Sequence, residues 1–216
     1  LKGEGELNVS GKLYGVWANK GKVTVTNATA SDTSSSGIGV FAILGSEITV
    51  RNDAFGEAHG VRADNINTVV TVEGNVSNSA PVLGAVYSAG QAVVTVKGNV
   101  TSAEGRGVHT YNGKVTVENN VSGRHVGAFA EDSISEIYIK GNLSSENTGA
   151  VIDTGNGTIT VDGEIHGDVT YIKIASKELV KADGIPDSDK AGYLKYSNDS
   201  SGGTVWVKDQ SAITVS

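Results

Sequence analysis

The sequence predicts an all-β protein: a single right-handed parallel β-helix (β-solenoid) of about seven coils of roughly 22 residues, with a C-terminal strand cap. Three observations support this fold class. One short strand motif recurs along the 216 residues at nearly constant spacing, Gly occurs 29 times and Pro only twice, and Val and Thr are frequent throughout. Because a repeat made only of strands and tight turns cannot bury its apolar side alone, successive repeats must stack on one another.

The first strand of each coil opens with Gly, continues with a small apolar residue and then has a variable one, as in Gly15-Val16-Trp17. Strand side chains alternate, so the small residues are predicted to fill a narrow interior. They are Val16, Val40, Val61, Ala85, Val108, Ala128 and Ala150. The variable residues are predicted to face solvent in one column: Trp17, Phe41, Arg62, Val86, His109, Phe129 and Val151.

The second strand of each coil reads apolar, Thr, apolar, with Tyr138 replacing Thr once. It occurs at residues 23–25, 48–50, 70–72, 94–96, 115–117, 137–139 and 159–161. The residues that follow form an outward column in which the sign of charge alternates: Arg51, Glu73, Lys97, Glu118, Lys140 and Asp162. Opposite charges stabilise directly opposed strand neighbours, so this alternation predicts the register in which the coils stack.

A turn with Asn follows most of these strands, and an aliphatic residue follows the Asn directly, which suggests a third strand in each coil. The turn residues are Asn75, Asn99, Asn120 and Asn142. At the strand spacing of roughly 4.8 Å their amides would lie one above another, and we expect a buried Asn ladder in which each amide donates to the next.

The end of the chain breaks the period. From about Ser176 onward Asp and Lys become frequent, and new strand-like segments occur at residues 193–196 and 204–207. We therefore divide the chain into a parallel β-helix (1–175) and a C-terminal β cap, or the start of a following module (176–216). A cap would cover the unpaired backbone groups and the apolar interior at the end of the solenoid.

The Asn ladder and the Gly-Asn-Val turns resemble those of the pectate-lyase-like right-handed parallel β-helix superfamily. They resemble even more closely the adhesin-type repeat arrays of large bacterial surface proteins, over about residues 5–175. The resemblance implies the fold, and it suggests surface attachment or carbohydrate-related biology, because lyases, hydrolases, phage tailspikes and non-catalytic adhesins share this scaffold. A leucine-rich repeat is the alternative for Val70-x-Val72-x-x-Asn75, but the Gly-rich, β-branched remainder of each coil disfavours it.

Composition limits the partners. The net charge is −7 and no run of Lys or Arg occurs, which argues against a nucleic acid partner. No stretch approaches the roughly 18 apolar residues of a membrane span, so we expect no membrane insertion. Cys is absent, which excludes disulfides and thiol chemistry. We expect a monomeric module of a larger protein that is extracellular, either secreted or attached to the cell surface.

No catalytic residue, metal site or cofactor is predicted. Carboxylates of the charged column alternate with cations, which does not suit a calcium site. Glu131 and Asp153 are the one neighbouring pair that a glycoside hydrolase could use. The histidines fall in different turns or columns and are expected to be exposed rather than metal ligands: His59, His109, His125 and His166. Ice binding by the Thr rank is disfavoured by the charged column and by Tyr138.

The sequence therefore predicts a non-catalytic adhesin-like or stalk module, with a polysaccharide lyase or glycoside hydrolase as the alternative. The predicted ligand-binding residues are Trp17, Phe41, Arg62, Asp64, His109, Phe129 and Glu131. Exposed aromatic rings in a column could stack on sugar rings of a glycan or contact a host surface protein. A second interpretation remains open, in which a loop such as residues 26–36 covers Trp17 and Phe41 and makes them part of a satellite core.

Overall fold

The computed structural model describes residues 6–32, 36–198 and 200–212. In this part of the chain three sheets of parallel strands wind into one β-solenoid, and each coil contributes one strand to each sheet. We call the sheets A, B and C in the order in which each coil enters them. The predicted all-β parallel solenoid of about seven stacked coils is therefore confirmed.

Sheet A consists of strands of three or four residues that follow the Asn turn. In pairing order they are β1 (Asn8–Gly11), β4 (Asn27–Ala30), β7 (Ala54–Gly56), β10 (Val76–Asn78), β13 (Val100–Ser102), β16 (Val121–Gly123), β19 (Leu143–Ser145) and β22 (Ile165–Gly167). Its inward residues are the aliphatic ones that follow the Asn, such as Val76 and Val100, and both are fully buried. The third strand that the turn motif suggested is therefore present.

The Asn ladder connects successive coils through side-chain oxygens. Oδ1 of Asn75 accepts the backbone N–H of Asn99 at 2.9 Å, and Oδ1 of Asn120 accepts that of Asn142 at 2.8 Å. Asp53 extends the ladder, because its Oδ1 accepts the backbone N–H of Asn75 at 2.7 Å. The Asn side chains are exposed, so the expectation that they are buried is wrong. They lie on the outside of the corner, where the oxygen still reaches the next coil.

Sheet B carries the longest strands, which have up to six residues, and the residues that were predicted to bind a ligand. In pairing order they are β2 (Tyr14–Asn19), β5 (Ile38–Ile43), β8 (His59–Asp64), β11 (Gly84–Ala89), β14 (Arg106–Tyr111), β17 (Val126–Glu131), β20 (Thr148–Ile152), β23 (Thr170–Ile174) and β24 (Lys177–Leu179). The last pair, β23 and β24, is antiparallel, and the others are parallel. The predicted interior residues of this sheet are buried, including Val40, Val61 and Val108.

One coil of sheet B departs from the predicted register. Val86, expected to face outward, pairs with Val61 and Val108 and is fully buried, whereas Tyr87 takes the outward position. In β2, β5, β8, β14, β17 and β20 the Gly is the second residue of the strand, but Gly84 is the first residue of β11. Aligning Gly84 with the Gly residues of the other coils therefore places this strand in a register that is wrong by one residue. Such a shift exchanges the inward and outward side chains.

Sheet C contains the repeated Thr motif. In pairing order its strands are β3 (Lys22–Val25), β6 (Glu47–Val50), β9 (Val69–Val72), β12 (Val93–Val96), β15 (Lys114–Val117), β18 (Glu136–Ile139), β21 (Thr158–Val161), β27 (Thr204–Lys208), β26 (Tyr193–Ser197) and β25 (Ile185–Pro186). The Thr residues stack in register on the outer side, while the flanking aliphatic residues enter the core.

Ion pairs confirm the register that the alternating charges predicted. Lys97 Nζ lies 2.9 Å from Glu73 Oε1, and Lys140 Nζ lies 3.2 Å from Glu118 Oε1. A second set of pairs, which the sequence did not suggest, lies at the opposite ends of the same strands, on their first residues. Lys22 pairs with Glu47 at 2.5 Å, and Lys114 pairs with Glu136 at 2.7 Å. Both sets connect neighbouring coils and leave the Thr column between them.

The solenoid continues beyond the point at which the sequence period is lost. The strand-like segments predicted at 193–196 and 204–207 are β26 and β27, and β27 pairs in parallel with β21, with Val205 opposite Ile159. It thereby supplies the sheet C strand of an eighth coil, whose other strands are β22 and β23. Tyr196 and Val207 belong to the same buried apolar cluster as the regular coils. The division of the chain after residue 175 stays a prediction.

Helix is nearly absent from the described residues. Two short 3₁₀ helices, Lys181–Asp183 and Gln210–Ala212, flank the last hairpin. No helix in the described ranges has the length and apolar character that a membrane crossing requires.

Candidate functional site

The outer column of sheet B runs along the solenoid with one residue per coil. It consists of Trp17, Phe41, Arg62, Tyr87, His109, Phe129 and Val151, each paired in register with the next. The column predicted from the sequence is confirmed except at two positions: Tyr87 replaces Val86, and Val151, although it pairs in register with Phe129, is buried rather than solvent-facing. It is a stripe rather than a pocket: Trp17 and Phe129 are five strands apart, about 24 Å at the usual strand spacing.

The guanidinium group of Arg62 lies between two aromatic rings of this column. Its guanidinium carbon lies 5.4 Å from the ring centroid of Phe41 on one side and 5.4 Å from that of Tyr87 on the other. Its Nε donates to Oδ2 of Asp64 at 2.9 Å. A cation over the face of an aromatic ring is attracted by the ring quadrupole, so Arg62 joins three consecutive coils. Arg62 and Asp64, both predicted as ligand-binding residues, therefore have partners within the protein.

His109 is held in the same way, one coil further on. Its ring meets Tyr87 and Phe129 edge-on, with centroids 4.9 and 5.0 Å apart. Arg106 Nη1 lies 3.1 Å from His109 Nδ1, and since a guanidinium can only donate, Nδ1 is the acceptor. The imidazole proton is therefore on Nε2, which donates to Oε2 of Glu131 at 3.0 Å. Burial and the charge of Arg106 lower the pKa of His109 to about 3, so the ring is neutral at pH 7.

His59 is a second buried imidazole beside this column. Its Nδ1 donates to the backbone oxygen of Gly84 at 2.6 Å, and its ring centroid is 5.6 Å from that of Tyr87. Burial lowers its pKa to about 4. The expectation that His59 and His109 are exposed is wrong, because the column packs aromatic rings over both of them. His125 and His166 are exposed, as expected.

The Trp17 end of the column is open. Trp17 is 58% exposed, and Tyr14 contacts both of its neighbours: its ring centroid is 5.8 Å from that of Trp17 and 5.5 Å from that of Phe41, nearly parallel to the latter at 18°. We call Tyr14, Trp17 and Phe41 the Trp17 platform. Residues 33–35 of the loop that the second interpretation placed over these rings lie outside the described residues. Among the described residues, the platform presents one exposed indole supported by two further rings.

Sequence reasoning missed three members of this face: Tyr14, Tyr87 and Arg106. Tyr14 and Arg106 stand directly before the Gly of their strands, where strict alternation predicts an inward side chain. Both side chains nevertheless lie against rings of the outer column: Tyr14 stacks on Phe41, and Arg106 lies over the Phe129 ring with its guanidinium carbon 3.8 Å from the centroid. An aromatic or cationic residue at a position that should be buried was the available signal.

The potential for chemistry on this face is limited by its internal contacts. Glu131, one member of the pair that a hydrolase could use, accepts the hydrogen bond of His109. Both ring nitrogens of His109 are engaged, so it has no free nitrogen to act as a base. The described residues contain no group of three or more His, Cys, Asp or Glu side chains arranged to hold a metal ion.

A parallel β-solenoid with an aromatic and cationic column on one outer face is the class of protein that fold and site define. Comparison with models of known protein families, with curated proteins and with solved structures finds no match to this chain.

Proposed function

We propose that this chain is a non-catalytic, extracellular module of a bacterial surface protein that binds a saccharide on the Trp17 platform. The exposed indole of Trp17, supported by Tyr14 and Phe41, carries this proposal. A large exposed aromatic surface is costly in water unless a ligand covers it, and aromatic faces pack well against the C–H faces of sugar rings.

The rest of the column supports the proposal by making the platform rigid. Phe41 is fixed from the other side by the guanidinium of Arg62, which is itself fixed by Tyr87 and Asp64. A preorganised site loses less conformational entropy on binding. The stacked coils form a continuous scaffold on which such a site can stand away from the cell, as in the adhesin-type arrays that the sequence resembles.

The alternative function, a polysaccharide lyase or glycoside hydrolase, has less support. It would need Glu131 and Asp153 to act as a free pair of carboxyl groups, and Glu131 is bonded to His109. No observation on the outer face of sheet B favours it over binding.

Binding of the purified protein to an array of neutral and acidic glycans tests the proposal. We expect binding by the wild type that is lost in Trp17→Ala, with little change in melting temperature because Trp17 is exposed. Tyr111→Ala is the matched control, since Tyr111 is another exposed aromatic residue of sheet B (44%) outside the platform. If Trp17→Ala still bound glycans, the platform would not be the binding site. If the wild type bound no glycan on the array, a stalk or a module that binds a host protein would be favoured instead.

A further inference from the structure

A groove interrupts the outer face of sheet C where the C-terminal segment folds over it. Its volume is about 400 Å³, and Lys114, Thr116, Glu136, Tyr138, Thr160 and Lys190 contribute to its lining. This size is within the range of small-molecule sites. The groove is on a different sheet from the Trp17 platform and shares no residue with it.

The floor of the groove departs from the repeat. Six of the coils have Thr at the outward position of the sheet C motif, and Tyr138 replaces it between Thr116 and Thr160. Tyr138 faces outward, so its ring is not required by the core. Its hydroxyl donates to Oδ2 of Asp162 at 2.6 Å, which fixes the position of the ring.

The wall of the groove is a cation from the C-terminal segment. Nζ of Lys190 donates to Oγ1 of Thr160 at 2.9 Å and lies 4.6 Å from the ring centroid of Tyr193 and 4.8 Å from that of Trp206. Tyr193 donates to Asp162, and Trp206 donates to Asp187 Oδ2 at 2.7 Å, so both rings are held in place.

Lys190 is incompletely satisfied in this position. Its ammonium group has three donors, and one of them is used on Thr160. Within the described ranges it forms no ion pair, whereas Lys114 on the opposite rim is paired with Glu136 at 2.7 Å. Burial lowers the pKa of Lys190, against the opposing effect of Asp162 and Asp187. A partly desolvated cation with free donors beside an aromatic floor is suited to an anionic oxygen of a ligand.

We propose that this groove is a second binding site, which takes a short acidic saccharide with one sugar ring on Tyr138 and its carboxylate or sulfate group on Lys190. The hydroxyls of Thr116 and Thr158 can donate and accept, as the hydroxyls of a sugar can. The proposal is independent of the proposed function, because the two sites lie on different sheets.

The protein contains only two tryptophans, which allows each site to be observed separately. In a Trp17→Phe background, Trp206 is the single tryptophan, and its emission reports on the groove because Lys190 lies over its ring. The probes are a hyaluronan tetrasaccharide, a heparin-derived tetrasaccharide and neutral maltotetraose. We expect saturable changes in Trp206 emission with at least one acidic probe and none with maltotetraose.

Two substitutions in that background test the assignment. Tyr138→Thr restores the residue of the other coils, and Lys190→Met removes the charge but keeps the chain length; each is expected to weaken binding of the acidic probe about tenfold or more. Lys22→Met is the matched control, because it removes one cation from the same sheet at a distance from the groove, and its affinity should equal that of the background. Thermal melts verify folding. Absence of any response to both acidic probes, or unchanged affinity in Tyr138→Thr and Lys190→Met, would overturn the proposal.

Discussion

Nε2 of His109 donates a hydrogen bond of 3.0 Å to Oε2 of Glu131, which stands on the next strand of sheet B. With the contact from Arg106 to Nδ1, it fixes His109 as a neutral ring within the aromatic column. His59 is also buried and neutral, beside Tyr87. Protonation of either imidazole would place a new charge among packed rings beside the guanidinium groups of Arg62 and Arg106, so the column should respond to acid.

We expect the protein to lose stability as the pH falls below neutrality. An unfolded histidine has a pKa of about 6.5, whereas burial lowers the pKa of His59 to about 4 and that of His109 to about 3. Below pH 6.5 the unfolded chain binds protons that the folded protein excludes, so stability present above that pH is lost progressively toward these lower values. Urea unfolding should show a slope that approaches about 1.4 kcal/mol per pH unit for each histidine near pH 5 and that becomes smaller for His59 as the pH nears 4.

His109→Gln removes one of these two sites, and the pH dependence of unfolding should become shallower in this variant. His125→Gln is its control, because His125 is exposed, and the slope should equal that of the wild type. Equal slopes in all three proteins would show that burial of His109 is not linked to acid stability.

The charged column of sheet C predicts a reversal experiment. Lys97→Glu places a negative charge between Glu73 and Glu118, and we expect a decrease of about 1–3 °C in melting temperature because these exposed charges are stacked in register. Adding Glu73→Lys and Glu118→Lys should recover part of the loss. Calorimetry measures both, and a triple variant no more stable than the single one would contradict the role of the column.

The shifted register of β11 predicts that a Val to Thr substitution is destabilising at Val86, whereas the same substitution at an exposed Val on another strand is not. Val86→Thr places a hydroxyl in the apolar interior and should lower the free energy of unfolding by about 1–3 kcal/mol. Val69→Thr makes the same change at a position that is 38% exposed and should leave stability within about 0.5 kcal/mol of the wild type. Denaturant unfolding measures both; if the two variants were equally stable, Val86 would not face the core.

The Asn ladder predicts that an acceptor oxygen matters more than the amide. Oδ1 of Asn120 accepts the backbone N–H of Asn142 at 2.8 Å, and Asp53 performs the same role in an earlier coil. Asn120→Ala should therefore cost about 1 kcal/mol, and Asn120→Asp distinctly less. The two variants are compared by urea unfolding at pH 7, and an equal cost for both would argue against the oxygen as the stabilising group.

The sequence by itself determined the features that repeat. In a solenoid the neighbours of a residue are the equivalent residues one period away, so the inward Val and Ala residues, the outward Thr rank and the Lys97–Glu73 pair follow from the spacing alone. The outward column from Trp17 to Phe129 was predictable for the same reason, except at Tyr87, where the strand is shifted by one residue.

Only the tertiary structure decided the contacts that break the period. Gly84 shifts one strand by a residue, Tyr14 packs on the outer rings against the expected alternation, and Lys190 reaches Thr160 from a segment whose length bears no relation to the coil. Spacing specifies neither the bend of a corner nor the path of an insertion, because both depend on backbone geometry and on packing between residues far apart in sequence. The Trp17 platform and the Lys190 groove both arise from such contacts.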